Sequence, residues 1–389
     1  MKAWGLIALA ALPLAGAACD SLDIGNDDND GAVYTSTNRA SGNQVLVFVR
    51  DDNGGLTLRD SVATGGLGSG PDPQFGTDPL TSQDAVILSD DHNLLFVVNA
   101  GSNEVTSFRV GSTGALTVAS RVSSGGTFPV SLAMRGSVLY VLNQKNGGNV
   151  SGFRVGTDGT LTAIAGSTRP LSGDPNPSPA SVRISPDGRV LVVTEKMTNR
   201  LTMYGLNTDG SPASASPTVT NTSAPTPFGA DFDPAGHYIL SEGNIGPNRA
   251  AVPDGSYAGS LGFSGGSLAP SVISAAVPTT ETAACWVQIT PDGRFAYTTN
   301  TGSGSITGFS IGTTGALTLL TADGKTGVTG MNTQPLDMAY ADGYLYALTA
   351  GDGGIHGFRV GGGGSLTALS GSGTVVSVLP ISATGLAAY

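Results

Sequence analysis

Three charged residues stand where the rest of the chain repeats a neutral one. Glu195 and Lys196, in VLVVTEKMTNR, and Glu242, in YILSEGN, close alternating apolar runs, whereas the matching runs LLFVVN, LYVLN and FAYTTN end on Asn99, Asn143 and Asn300. A carboxylate at such a place has the chemistry of a general base, and an ammonium beside it can stabilise an oxyanion. Activating a water and steadying the charge it creates would use both. Trp286, Phe228 and Cys285, near the starts of other runs, supply an apolar wall, with the Trp286 indole N–H or backbone amides as further donors. Asn99, Asn143 and Asn300, with Asn38 and Asn244, have two readings: ligand contacts, or amides that bond their own turn backbone and tolerate unusual φ.

Other chemistries find less support. His92 and His237 fall in turns between the first two strands of their repeats and His356 falls in a third strand, so no metal triad is assembled and no cofactor is expected. GFSGG at 262–266 fits G-x-S-x-G but lies in a strand-to-strand turn rather than at a strand-to-helix elbow. Asp27, Asp28 and Asp30 lack the closing glutamate of a calcium loop. Cys285 reads as a small buried apolar residue.

The elements that must position these residues come from a repeat. PDGRFAYTTNTGSGSITGF, from Pro291, places a Pro-Asp-Gly reversal before an alternating run, a Gly/Ser turn and a second alternating run, which is a pair of antiparallel strands. The pattern returns from Ser89, Met134, Ser185, Asp233 and Ala341, at spacings of roughly 45 to 60 residues, a propeller-blade period. A seventh copy from Gly31 lacks its first strand, and the last nine residues, ISATGLAAY, match first-strand beginnings such as PVSLAM and PLDMAY. Joining the two ends in one sheet predicts an all-β, seven-bladed propeller of four-stranded antiparallel blades over residues 31–389, with no exposed strand edge left at the seam. In each blade strand A precedes the PDG turn and strand B follows it. Strand C carries an aromatic residue (Phe48, Phe108, Phe153, Tyr204, Phe309, Phe358), placed for blade-to-blade packing. Strand D closes the sheet. This order puts all B–C loops and D–A connections on one face, called upper, where the candidate residues gather. Two long insertions, 65–83 and 243–268, belong to the same face.

The composition agrees. Fifty-eight glycines and 22 prolines with 12% charged residues suit short strands and tight turns. A net charge of −11 with only 18 scattered basic residues argues against nucleic acid or an anionic membrane surface as partner. Residues 1–19, MKAWGLIALAALPLAGAAC, form an export signal with a lipoprotein-like end at Cys19; cleavage after Ala17 or Ala18 is the alternative. Residues 20–30 form an acidic tether. The expected location is periplasmic or extracellular, with the membrane reached only through a lipid on Cys19. A monomer is expected.

The stretches YTTNTGSGSITGF, PASVRISPDGRVLVVTEKMTNR and TPFGADFDPAGHYILSEGN resemble the lactonase-type seven-bladed propeller family, which includes 6-phosphogluconolactonase-like and carboxymuconate-cyclase-like proteins. The resemblance implies a metal-independent lactonase-like hydrolase or lactonising isomerase acting on a lactone or sugar-acid derivative at the upper rim, with Glu242 where catalytic members carry a glutamate. Two family motifs are altered: Ser178 and Ala180 stand at the histidine positions of a PHxH-like motif, and Phe228 and Gly229 replace the Arg and His of a PRH-like one. The anion-binding half of that site is absent. The alternative function is a non-catalytic propeller that binds a glycan, a small molecule or an envelope protein.

Overall fold

The computed structural model describes residues 31–369 and 373–389, so Cys19 and the acidic tether lie outside the described residues. Seven antiparallel sheets form the ring. In blade one, Thr384–Ala388 is the inner strand, followed outwards by Ala32–Ser36, Gln44–Arg50 and Leu56–Ala63. The seam pairs Val33 with Ala388 and Tyr34 with Ala387, so the last residues of the chain close the ring on the first blade as the repeat predicts. The other blades keep the order A to D. In blades three, six and seven the outer strand is broken into two short pieces, both paired to strand C.

The blades are held by their B and C strands, which are buried on both faces. All six C-strand aromatics named above are buried. A second device was hidden in the repeat. Tyr34, Tyr140, Tyr297 and Tyr346, all in B strands, donate their hydroxyls to the carbonyls of Gly114, Gly210, Gly364 and Gly54 in the C–D turn of the next blade. That turn requires glycine. Gly364 has φ +81°, and a Cβ on it would come within 2.6 Å of the Phe295 ring.

Insertion 65–83 does more than bridge two blades. Its end, Thr81 to Gln83, crosses the ring axis with Asp84 and bonds the inner strands of five blades. Ser82 Oγ donates to Val130 O at 2.8 Å, and Gln83 N donates to Ala180 O at 2.9 Å. The Gln83 amide exchanges two bonds with the Val287 backbone, at 2.8 and 2.9 Å, and reaches Ala230 O at 3.3 Å. Asp84 N donates to Asp337 Oδ2 at 2.9 Å. Inner strands leave backbone groups facing the channel, and this segment satisfies them as a further strand would. Below the crossing, Arg183 pairs with Asp84 and with Asp231. Burial pushes the Asp337 carboxyl up to about 8 there, against the pull of Arg183.

Candidate functional site

Because side chains alternate along a strand, the last B-strand residue and the one after it face opposite ways. The last residue turns into the wall between blades. Asn99 donates to Thr106 Oγ1 at 2.9 Å and accepts from Asn43 and Thr64. Asn143 donates to Ser124 O and Asn149 Oδ1, and Asn300 to Ser305 Oγ and Thr307 Oγ1. All three are fully buried, and their bonds tie the B–C turn to strand C and to the outer connection. None of the three lines the upper-face cavity described below.

Glu195 and Glu242 hold the same position and share its fate. Glu195 is 0% exposed and accepts from Ser172 N, Ser172 Oγ, Thr198 Oγ1 and Thr202 Oγ1, at 2.5 to 2.9 Å. Glu242, also 0% exposed, accepts from Ala224 N at 2.7 Å, while its Oε2 has no protein partner. Burial pushes its carboxyl up to about 7, with the Ala224 and Ser223 amides opposing. The expectation that these two carboxylates reach the rim is therefore corrected: strand parity turns them into the wall.

The next residue faces the axis. Gln144 there donates to Leu80 O and Pro179 O, each at 3.2 Å, and Thr301 to Pro335 O at 3.0 Å. In blade four that residue is Lys196, whose ammonium bonds Thr81 O and Thr81 Oγ1 and sits 4.8 Å from the Phe228 ring centre. Phe228 packs on Trp286, ring centres 4.7 Å apart, and Trp286 Nε1 donates to Ser82 O at 2.8 Å. Trp286 thus supports the wall from behind and Phe228 forms its surface.

Around Lys196 lies an upper-face cavity of about 620 Å³, closed on one side by the two insertions. Its rim has an unusual backbone. Ser178, Thr226, Ala283 and Gln334, each just before an inner strand, have φ of +47°, +62°, +59° and +50° and all line the cavity. A register shift follows each at the start of its strand. Left-handed non-glycine residues cost stability, and Phe128 takes the same conformation before the inner strand of blade three, outside this cavity, so the feature belongs to the entry of the inner strands.

The charged residues missed in the sequence come from the insertions. Asp78 lines the cavity with Lys196 and Arg249. Arg249, in the blade-five insertion, donates to Thr77 O at 3.2 Å and Asp78 O at 2.9 Å, reaches Asp72 Oδ2 at 3.4 Å and stacks on Phe75. Burial pushes the Asp78 carboxyl up to about 6, opposed by Arg249 and Lys196, and pushes the Lys196 ammonium down to about 8, opposed by Asp78. Cys285 also lines the cavity, but burial lifts its thiol to about 12, leaving it an inert apolar wall. Among the described residues no cluster of three His, Cys, Asp or Glu side chains suits a metal ion.

The fold is that of a lactonase-like seven-bladed β-propeller. Residues 42–170 match the family described as "Lactonase, 7-bladed beta-propeller". The putative 6-phosphogluconolactonase of Bacteroides uniformis is 18% identical with a TM-score of 0.66, over 92% of this chain and 99% of that one. The periplasmic gluconolactonase of Pseudomonas aeruginosa, PpgL, is 18% identical with a TM-score of 0.65, over 90% of this chain and 96% of that one. At these identities the likeness establishes the shared fold. No curated protein matches the chain.

Proposed function

We propose that the protein is an exported lactonase-like hydrolase that opens a lactone in the upper cavity, with Asp78 as general base and Lys196 as the cation that steadies the oxyanion. The observation that carries this reading is one acid and one ammonium in a single cavity, their proton affinities displaced towards neutrality from opposite sides. Water attacks the ring carbonyl carbon while Asp78 takes its proton. Negative charge gathers on the carbonyl oxygen beside Lys196. The C–O ring bond then breaks, and the proton passes from Asp78 to the departing ring oxygen, giving a hydroxy acid. Glu242 and Glu195 keep a supporting role in the wall.

Acid release from a panel of lactones, aldonolactones included, tests the reading. Asp78→Asn and Lys196→Met should each lower kcat at least a hundredfold, and kcat should peak between about pH 6 and 8, where Asp78 is ionised and Lys196 is charged. A ligand bound in the cavity with no lactone opened would establish the binding-module alternative instead.

Export rests on residues 1–19, and the likeness to the periplasmic gluconolactonase of Pseudomonas aeruginosa supports it. Among the described residues no helix is long and apolar enough to cross a membrane. A lipid on Cys19 would hold the protein at the envelope, and Cys19→Ser should move it from the membrane fraction to the soluble one.

A further inference from the structure

We infer that the upper cavity takes a ligand with an apolar body and a single carboxyl or lactone group, rather than a polyhydroxylated sugar acid. The inference rests on the lactonase reading of the same cavity and narrows its substrate class. A sugar held away from water needs a protein partner for most of its hydroxyls, because each buried group left without one weakens binding. Most of the cavity's threonine hydroxyls are already engaged, which leaves Ser178, Gln74 and Asn248 as the polar side chains of its lining free to meet a ligand. Thr77 donates to Gln334 Oε1 at 2.8 Å, Thr226 to Ile245 O at 2.9 Å and Thr301 to Pro335 O at 3.0 Å. Thr81 Oγ1 receives Lys196. Arg249 spends both terminal nitrogens on carbonyls and Asp72.

What remains open to a ligand is mostly hydrocarbon, with Phe75, Met197, Phe228, Ile245, Ala251 and Cys285 among the lining. Phe75 and Met197 are exposed, so the approach to the cavity is apolar as well. Arg249 is paired with Asp72, which leaves Lys196 and Asp78 as the charges that address this surface. A hydrocarbon chain or ring ending in one acyl group matches that distribution.

Calorimetry with 4-phenylbutyrate and gluconate, beside hydrolysis of dihydrocoumarin, δ-nonalactone and glucono-δ-lactone, tests the assignment. The expected result is 4-phenylbutyrate bound at least tenfold more tightly than gluconate, weakened at least threefold by Met197→Gln, whose exposed side chain lies outside the core, and by Lys196→Met. The apolar lactones should exceed glucono-δ-lactone at least tenfold in kcat/KM. If 4-phenylbutyrate binds as described and no lactone is opened, the substrate class stands and the hydrolase reading fails. If glucono-δ-lactone is the better substrate, or gluconate binds as tightly, the class is overturned while the hydrolase reading survives. Failure of both acids to bind overturns the class too.

Discussion

Glu195 and Lys196 are neighbours in the chain and occupy different worlds. The first is sealed in the wall between blades, its carboxylate receiving four hydrogen bonds, while the second faces the axis and a cavity. In a two-residue repeat, a one-position offset decides which surface a charge serves. The lesson extends round the ring: Asn99, Asn143, Glu195, Glu242 and Asn300 build the wall, whereas Gln144, Lys196 and Thr301 address the axis. A charge at a wall position replaces an amide's structural work with a carboxylate's. At an axial position it is available for chemistry.

If the wall is framework, its largest failure should come from its seam. Truncation after Pro380 removes Thr384–Ala388, the inner strand of blade one, together with the Val33–Ala388 and Tyr34–Ala387 pairings. The cooperative thermal transition should be lost or fall by more than 15 °C in calorimetry, because the opened ring exposes backbone groups at two strand edges. An unchanged transition would mean that the seam contributes nothing.

The wall and the axis separate more finely at the two neighbours. Glu195→Ala strands three hydroxyls and an amide in a buried site, so denaturant unfolding should show a loss of about 3–5 kcal/mol. Lys196→Met removes a charge that burial already disfavours and should alter stability by less than about 1 kcal/mol, with turnover as the property lost. The reverse pattern would exchange the roles assigned to them.

How much of this was legible follows the same division. The blades, their number, the C-strand aromatics and the seam were readable because turns and alternation recur six times and a broken seventh copy matches the chain's end. Lys196 and Phe228 were readable as cavity residues. Glu195 and Glu242 were misplaced because broken repeat symmetry marks a position without saying which way it faces; counting parity from Asn99 and Asn143 would have supplied that. Asp78 and Arg249 lie in insertions, where no repeat fixes the register, and only the fold brings 65–83 across the axis to meet the blade-five loop. The Tyr-to-Gly bonds between blades had a signal in the tyrosine that recurs in the B strands, visible only once adjacent blades are set side by side.

The subtlest difference between wall and axis is in their response to pH. Glu242 is a wall carboxylate with one oxygen bonded and the other, Oε2, facing a cleft of about 40 Å³ shared with Ser260, whose hydroxyl also lacks a protein partner. Its pKa is raised from 4.5 to about 7, so the folded state holds a proton there that the unfolded chain releases above pH 4.5. Folded protein then binds more protons than unfolded, and this group's contribution to stability falls as pH rises from about 4.5 through 7. The full difference above that window is on the order of 3 kcal/mol. Glu242→Gln keeps the acceptor for Ala224 N, offers an amide towards the cleft and removes the titration. The variant should therefore match the parent near pH 4.5 and exceed it at pH 8, with a flatter stability curve between them by urea unfolding. Its lactone-opening profile should still peak between about pH 6 and 8, because that profile belongs to Asp78 and Lys196 on the other surface. A profile that shifted with Glu242→Gln while the stability curve stayed unchanged would place Glu242 in the chemistry and break the separation of wall from axis.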